Sequence, residues 1–450
     1  MIRKFLRHAE CGLNRRCLEQ SVRFRPRQSS LESWPPETAG QLRIRVQGLS
    51  GMSRQPFSPA PSLRRNVQAE QVAGFIKPVR DPTASAAVAD LQRLVALGPS
   101  HRDWQAELES EVARLTGAPH VVAVASANVA LHCVLAASNL QPGDEVIIPA
   151  YLPPSIPEVI RQFGAHPILV DINAESAHLD CHQVADSLTD RTRGIIAVDI
   201  AGLPVDLRPL THLCRRHQLF LVNDAQAQVP GIGVRGDFQE GHVRVYHCQS
   251  TETILLSSGA LICTADESLA ERLLQKITPL DELTGEVQQW DINRSLHYAD
   301  RMTELAAVSQ LAAFGKGREA WRRRCQIAMN YTAAFSCRRE FQVPFERPDV
   351  NHTWIEYPLR LNLQHLGMSR DEFTSALRRR GVRVKVTCLP VSLMPQYQDY
   401  YGVAAETFPV ARNEFLRRVC LPIDGLMSDA DIDLVIGAVL VPGAKAPTLV

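Results

Sequence analysis

The feature that most constrains this chain is a regular alternation of short apolar runs and helix-spaced segments, which starts near Val121 and continues for roughly 150 residues. Apolar runs of this length are typical of strands buried on both faces of a sheet. They occur at residues 121–124, 145–148, 167–170, 194–198 and 219–222. Between them lie segments with helical spacing, such as the one that holds Leu131, His132 and Leu135. This alternation predicts an α/β fold with a doubly wound, mostly parallel sheet, which binds ligands beyond the carboxyl ends of its strands.

The second half of the chain predicts a smaller unit. The sheet continues with apolar runs at residues 243–246 and 260–263, and a helical stretch covers residues 302–335. Beyond Pro348, strands are predicted at residues 354–361 and 382–386, and helices at 369–380 and 428–439. We therefore expect a large domain at residues 71–335 and a C-terminal α+β small domain at residues 336–450.

Residues 1–70 differ from the rest in composition, because arginines and prolines are frequent and acids are few. A basic, acid-poor start is typical of a transit peptide. It fits equally a disordered extension, or translated sequence upstream of a true start at Met52. No fold is predicted for this segment.

Composition excludes several classes of function. The formal net charge is +1, so nothing global favours nucleic acid as a partner, and no apolar run approaches the ~20 residues of a membrane-spanning helix. The 11 cysteines form neither a CxxC pair nor a Cys/His cluster at metal spacing. We expect a cytoplasmic protein with no membrane segment, no nucleic-acid partner and no metal site.

The sharpest local feature is Asp224, which follows the apolar run at residues 219–222 directly after Asn223. A carboxylate at the end of a buried strand lies at the edge of the ligand crevice. Such a carboxylate either caps the next turn or holds a protonated heteroaromatic nitrogen, the role that an acidic residue plays against the pyridinium of pyridoxal phosphate (PLP).

Several motifs in order carry a family resemblance. Residues 126–132 read Ser-Ala-Asn-Val-Ala-Leu-His, and residues 142–149 read Pro-Gly-Asp-Glu-Val-Ile-Ile-Pro. Asn-Asp-Ala follows at 223–225 and Arg-Met-Thr-Glu-Leu at 301–305. Together these segments resemble the DegT/DnrJ/StrS family of sugar aminotransferases over residues 75–441. The resemblance implies a PLP-transferase fold in which Asp224 faces the cofactor ring nitrogen and Ser126, Ala127 and Asn128 form the phosphate cradle.

The Schiff-base lysine that the resemblance requires is missing. The family has Ser-Phe-x-x-x-Lys after the last core strand, and here Glu252, or else Thr251, stands at the lysine position. The serine that contacts the phosphate in the family becomes His247 or Tyr246, respectively. No lysine lies between Lys77 and Lys276. An imine with the PLP aldehyde requires an amine, which neither a carboxylate nor a hydroxyl supplies.

Other family residues are replaced in the same predicted pocket. Ala127 stands where the family has a glycine, which lets backbone N–H groups approach phosphate closely. Pro153 stands at the position of the stacking aromatic, with Tyr151 nearby as a wall residue or a substitute. Ala227, flanked by Gln226 and Gln228, replaces a glutamine, and Ala299 replaces an asparagine that reaches the neighbouring subunit's cofactor.

Three hypotheses are compatible with this pattern. The first is a non-transaminating pseudoenzyme that serves as a scaffold or as the partner of an active relative. The second is a dehydratase-like sugar-modifying enzyme that uses untethered pyridoxamine phosphate, with Glu252 or His247 as the base. The third is a conventional PLP aminotransferase that uses a distant lysine: Lys276, Lys316 or Lys385.

The resemblance also implies cofactors and partners. By ancestry the cofactor is PLP or pyridoxamine phosphate, and the ligand is a nucleotide sugar of polysaccharide or secondary-metabolite synthesis. Because the family's dimers build each site from two chains, we expect a homodimer or a heterodimer with an active paralogue. His352, Tyr357 and the arginines at 318 and 322–324 are interpreted as structural or surface residues first and as substrate contacts second.

Overall fold

The apolar runs of the first half form one twisted sheet. The computed structural model describes residues 103–226, 230, 232, 241–248, 259–277, 301–386, 389–404 and 406–442. Its large sheet has seven strands: β1 (His120–Val124), β2 (Glu145–Pro149), β3 (His166–Val170), β4 (Thr192–Val198), β5 (Phe220–Ala225), β6 (His242–His247) and β7 (Ala260–Thr264). Their order is β1-β7-β6-β5-β4-β2-β3. β7 runs antiparallel to both of its neighbours, β1 and β6, and the other four strand pairs are parallel, so the sheet is mostly parallel.

Helices cover both faces of this sheet. They are α1 (Trp104–Thr116), α2 (Ala127–Ala137), α3 (Ser155–Gln162), α4 (Cys181–Asp186), α5 (Leu207–His217) and α6 (Glu267–Ile277). Alternate residues of each strand supply the two cores, because successive side chains point to opposite faces. Val146 and Ile148 pack with α2, α3 and α6, whereas Ile147 between them packs with α4 and α5. The predicted doubly wound α/β class is therefore confirmed.

A long helix, α7 (Glu304–Phe335), joins the large sheet to the C-terminal part. It begins after Thr303, whose hydroxyl accepts a hydrogen bond from the Ala306 amide at 3.2 Å. Its last turns carry Tyr331 and Phe335 into a second core. There the ring of Tyr331 meets the ring of Tyr357 edge-on, with centroids 5.1 Å apart.

That second core lies under a small antiparallel sheet of order β10-β9-β8. Its strands are β8 (Phe341–Gln342), β9 (Tyr357–Leu361) and β10 (Arg418–Leu421). The accompanying helices are α8 (Leu363–Leu366), α9 (Arg370–Arg379), α10 (Pro395–Tyr401), α11 (Pro409–Arg417) and α12 (Asp429–Leu440). Ser428 caps α12 as its sequence indicates, because its hydroxyl accepts a hydrogen bond from the Asp431 amide at 3.2 Å.

The prediction of a strand at residues 382–386 is wrong. Only Lys385 pairs there, through two backbone hydrogen bonds to Cys420 of β10, of 3.1 and 2.9 Å. Buried Val382 and Val384 alternate with exposed Arg383, as they would in a strand, although the segment forms a single bridge beside the sheet. The strand predicted at 354–361 is also shorter, since β9 begins at Tyr357.

The large sheet and the small sheet are joined by buried polar contacts. The carboxylate of Asp171, after β3, accepts the backbone N–H groups of Val410 and Ala411 at the start of α11, each at 2.9 Å. The guanidinium of Arg360 on β9 donates to the backbone carbonyl of Glu175 at 2.8 Å and pairs with Glu414 of α11 at 2.6 Å. These contacts fix α11 against the edge of the large sheet.

The predicted domain division at residue 335 coincides with the last residue of α7. The described residues belong to one compact unit, so the boundaries at 71–335 and 336–450 stay predictions. The extension predicted for residues 1–70, with its alternative start at Met52, lies outside the described residues.

Candidate functional site

A cavity opens at the carboxyl ends of β5 and β6, where a doubly wound sheet binds ligands. Its volume is about 280 Å³, near the lower limit for small-molecule sites. It is lined by residues of two strands, two helices and their loops: Val222, Asp224 and Gln226, Val245 and His247, Ala127, Asn128 and Leu131, and Pro153, Ser155 and Ile156. Most of the residues predicted for the site therefore surround one space.

Strand alternation decides which side chains face this cavity. On β5, Val222 and Asp224 line it, whereas Asn223 points to the opposite face of the sheet. On β6, Val245 and His247 line it. Asp224 is 7% exposed, so its carboxylate is a buried charge that requires a partner.

The nearest partner of Asp224 is His247. The Nε2 atom of His247 lies 2.6 Å from Oδ1 of Asp224, and the two side chains are 15% and 10% exposed. The two groups are in direct contact at this distance, although the contact does not meet the geometry of a hydrogen bond. Among the residues that the structure describes, Oδ1 therefore accepts none. The carboxylate is therefore in contact with an imidazole without accepting a hydrogen bond at Oδ1 from any described residue.

The start of α2 forms the opposite wall. Ser126 has extended backbone angles and accepts a hydrogen bond from the Val129 amide at 3.2 Å, which makes it the N-cap of the helix. The first amides after the cap belong to Ala127 and Asn128, and both residues line the cavity. Amides at a helix start lack intrahelical acceptors and favour anions. This wall retains the chemistry of a phosphate cradle.

A polar network that the sequence reasoning missed lies on the reverse face of β5 and β6. Asn223 donates to Asp199 at 3.0 Å and accepts from Arg244 at 3.1 Å. Asp199 also accepts the Val205 amide at 2.9 Å, and burial raises the pKa of its carboxyl to about 6. The polar residues at alternate positions of two apolar strands were the available signal. The network fixes the strand ends that carry Asp224 and His247.

Tyr246 and His247 are the two candidates for the position of the family's phosphate-binding serine, and they lie on opposite faces of the sheet. Tyr246 lies in the core behind the sheet, where burial raises its pKa to about 12. His247 lies on the cavity face. The geometry therefore favours the register that pairs His247 with Glu252. Glu252 and Thr251 themselves lie outside the described residues, as do Ala227, Gln228 and Ala299.

Tyr151 does not substitute for the missing aromatic. It is fully buried, and the guanidinium carbon of Arg418 lies 5.8 Å from its ring centroid. Pro153 stands in the cavity wall instead. A proline ring offers an apolar surface without the π face of an aromatic side chain, so this wall has lost its stacking chemistry.

The remaining predicted residues, His352, Tyr357 and the arginine cluster, lie away from this cavity. His352 stacks on Trp354 with centroids 3.7 Å apart, and burial lowers its pKa to about 3. Tyr357 exchanges a hydrogen bond with Thr332 at 2.9 Å. In the arginine cluster, Arg324 is buried and donates to the Thr353 carbonyl at 3.2 Å. None of these side chains lines the cavity.

The residues present do not fit a covalently held PLP. Asp224 suits a ring nitrogen and the start of α2 suits a phosphate, but none of the described residues that line the cavity is a lysine. Lys276 lies in the last turn of α6, Lys316 lies within α7, and Lys385 pairs with Cys420 beside the small sheet. The third hypothesis of the sequence, a distant lysine at this site, has no support from these positions.

None of the described helices combines the length and the apolar character needed to cross a bilayer. Within the described ranges, no group of three or more His, Cys, Asp or Glu side chains is placed to hold a metal ion.

Known proteins resemble this chain along most of its length. The model of the DegT/DnrJ/EryC1/StrS aminotransferase family matches residues 86–440. The spore coat polysaccharide biosynthesis protein SpsC of Bacillus subtilis (strain 168) is 29% identical over 355 residues, which are 75% of this chain and 90% of SpsC.

Two solved structures share the fold. The aminotransferase TlmJ from Streptoalloteichus hindustanus superposes with a TM-score of 0.70 at 24% identity, over 79% of this chain and 95% of TlmJ. S. venezuelae DesV, solved in complex with a ketimine intermediate, has a TM-score of 0.67 at 25% identity, over 81% of this chain and 96% of DesV.

Proposed function

The chain belongs to the DegT/DnrJ/EryC1/StrS aminotransferase family, and we propose that it is a member that does not transaminate. In this proposal the aminotransferase fold serves as a scaffold in the synthesis of a polysaccharide. The protein acts as a homodimer or as the partner of an active relative, which it helps to complete. SpsC, a relative named for spore coat polysaccharide biosynthesis, supports the choice of pathway class.

One observation carries the proposal: the sequence has no lysine between Lys77 and Lys276. This interval includes both strands that line the cavity and the segment after β6, where the resemblance requires the lysine. PLP supplies an electron-accepting ring once its aldehyde has condensed with an amine. A carboxylate at residue 252 cannot condense, and it adds negative charge next to a phosphate site.

The geometry of the cavity supports the same conclusion. His247, where the family has a small serine, contacts the carboxylate that would face the ring nitrogen. Pro153 offers no aromatic face. Three separate contacts to a cofactor, one covalent and two non-covalent, are therefore altered together.

Absorption spectroscopy tests the proposal. Wild-type protein incubated with PLP and dialysed is expected to show no aldimine band, and borohydride followed by peptide mapping is expected to find no modified lysine. With L-glutamate and PLP, no α-ketoglutarate is expected to form. Turnover of an amino donor by the wild type would overturn the proposal.

A second candidate function has a specific observation in its favour. Asp224 keeps a buried oxygen that accepts no hydrogen bond among the described residues, and His247 beside it can move a proton in a cavity. An untethered pyridoxamine phosphate, held by Asp224 and the start of α2, would suit a dehydratase-like reaction on a sugar. Isothermal titration that detects no binding of pyridoxamine phosphate to the wild type would remove this candidate.

A further inference from the structure

We infer that His247 is a specificity-determining residue that excludes a pyridine ring from Asp224, independently of the missing lysine. The inference rests on the proposed function, because it concerns the same cavity. It adds a second, non-covalent obstacle to cofactor binding and assigns that obstacle to one side chain.

The positions of the two strands bring the side chains of Asp224 and His247 to the same face of the sheet. β5 and β6 are parallel neighbours in which Ala225 pairs with Tyr246. His247 therefore follows one position beyond the last pair, and its side chain shares the cavity face with Asp224. The imidazole spans the gap to the neighbouring strand and brings Nε2 to 2.6 Å from Oδ1.

The contact takes the space that a ligand donor would need. A ring N–H must come within about 3 Å of a carboxylate oxygen to donate a hydrogen bond. Here an imidazole nitrogen is already closer than that to Oδ1, so a pyridine ring has to displace the imidazole before it can use this oxygen. Displacement separates a buried charge from its nearest partner, which is unfavourable in a site of low dielectric constant.

The site has two separate obstacles to the cofactor, the missing amine at residue 252 and the contact of His247 with Asp224. An amine restored at residue 252 would supply the covalent anchor and leave Asp224 in contact with His247. Conversely, a small side chain at residue 247 would free Asp224 and supply no anchor. The two substitutions are therefore expected to affect different measurements, and each tests one obstacle.

The first experiment measures non-covalent binding with pyridoxamine 5′-phosphate, which has no aldehyde and cannot react with lysines. Isothermal titration compares the wild type with His247→Ser and with His247→Ala, a second variant in case one folds poorly. We expect both variants to bind at least about tenfold more tightly than the wild type, which corresponds to ~1.4 kcal/mol. Val245→Ala is the matched control, because it enlarges the same face of the same strand without freeing Asp224.

A second arm assigns the gain to Asp224. In an Asp224→Asn background, His247→Ser is expected to give no gain, because the neutral amide does not favour a protonated ring nitrogen. Equal affinities of wild type and both His247 variants, or a gain that persists in the Asp224→Asn background, would overturn the inference. An equal gain from Val245→Ala would also overturn it, since space alone would then explain the effect.

The covalent arm uses PLP. Glu252→Lys alone is expected to give a weak aldimine band, and Glu252→Lys with His247→Ser a band at least about tenfold stronger at the same PLP concentration. Glu252→Gln is the control that removes the charge without adding an amine. Turnover by the wild type would refute the proposed function whatever His247 does, whereas an inactive wild type with unchanged His247 variants would refute this inference alone.

Discussion

At the scale of single residues, the fold buries imidazoles that must stay neutral. His178 is 5% exposed, its Nε2 lies 3.1 Å from the Leu203 carbonyl, and burial lowers its pKa to about 3. Burial also lowers the pKa of His352 to about 3. An unfolded histidine titrates near 6.5, so below this pH the unfolded chain binds more protons than the folded one. The stabilisation is present above about pH 6.5 and is lost as the pH falls towards 3.

His178→Gln is expected to weaken this acid sensitivity, because glutamine can donate to the Leu203 carbonyl and never charges. Urea unfolding between pH 4 and 6 should show a slope of stability against pH about 1.4 kcal/mol per unit smaller than in the wild type. Asp199 acts oppositely, since its raised pKa of about 6 favours the folded state at low pH, and it is unchanged in both proteins. His182→Gln, at an exposed position, is the control. Identical slopes for His178→Gln and wild type would contradict the prediction.

Single residues of the site were predictable when one strand sufficed to place them. Asp224 follows a buried run, so its position at the sheet edge follows from the sequence alone. The contact of His247 with Asp224 was not predictable, because it depends on the pairing of two strands 23 residues apart and on one side-chain rotamer. The sequence could not choose between Tyr246 and His247 for the same reason: an ambiguity of one residue inverts the face of a strand.

At the scale of elements, the first backbone amides of α11 are capped by a side chain that is distant in the sequence. Phe408 at its N-cap provides no side-chain hydrogen bond, and Pro409 occupies its first turn. Asp171, 4% exposed and far away in sequence, accepts the amides of Val410 and Ala411 instead. A carboxylate at a helix start also interacts favourably with the helix dipole. One side chain of the large sheet thus stabilises an element of the C-terminal part.

Asp171→Ala is therefore expected to lower the free energy of unfolding by roughly 1–3 kcal/mol, because it removes the acceptor of the partly buried Val410 amide, of the buried Ala411 amide and of the neighbouring Ile172 amide. Asp180→Ala is the control, since Asp180 caps only the six-residue α4 at a more exposed position, and its cost should be about 1 kcal/mol or less. Chemical denaturation of both variants measures the difference. If both variants lose the same unfolding free energy, the cap by Asp171 contributes no more than the local cap by Asp180.

The elements themselves follow closely from the sequence where local patterns and burial agree. Strands buried on both faces appear as unbroken apolar runs, so the bounds of the core strands are found within three residues. The strand prediction at residues 382–386 is wrong because alternation of apolar and polar residues indicates only which side chains are buried. Whether a ladder forms depends on a neighbouring strand, and within the part of the chain that the structure describes this segment forms one isolated bridge, between Lys385 and Cys420. The cap that Asp171 gives to α11 has no local pattern at all.

At the scale of the whole molecule, the two sheets meet at a point with no spare volume. Gly202 follows β4 with φ of +98°, and its carbonyl accepts the Thr353 amide at 2.8 Å. A Cβ at this position would lie 2.6 Å from the Thr353 hydroxyl oxygen and 2.8 Å from the Trp354 nitrogen. The backbone conformation and the close approach both require glycine.

Gly202→Ala is expected to cost roughly 2–4 kcal/mol, from a positive φ and from overpacking against backbone atoms. Gly402→Ala is the matched control, because φ is +62° there and nothing lies within 4 Å of the added carbon, so only about 1 kcal/mol of backbone strain applies. Thermal unfolding of the two variants gives the comparison. If both variants lose the same stability, the contact between the sheets tolerates a methyl group.

The order of strands has a consequence for how the chain assembles as it is synthesised. Strands β2 to β6 can pair soon after they leave the ribosome, but among the described strands β1 pairs only with β7, with Val124 opposite Ala260. β1 thus waits for about 140 residues before this partner exists, a long loop to close. The start of α2 follows β1 directly, so the anion-favouring wall of the crevice is joined to the strand that is paired last. A nascent chain released before Thr264 would hold α2 against α3 and β6 but would lack the partner that fixes β1 in the sheet.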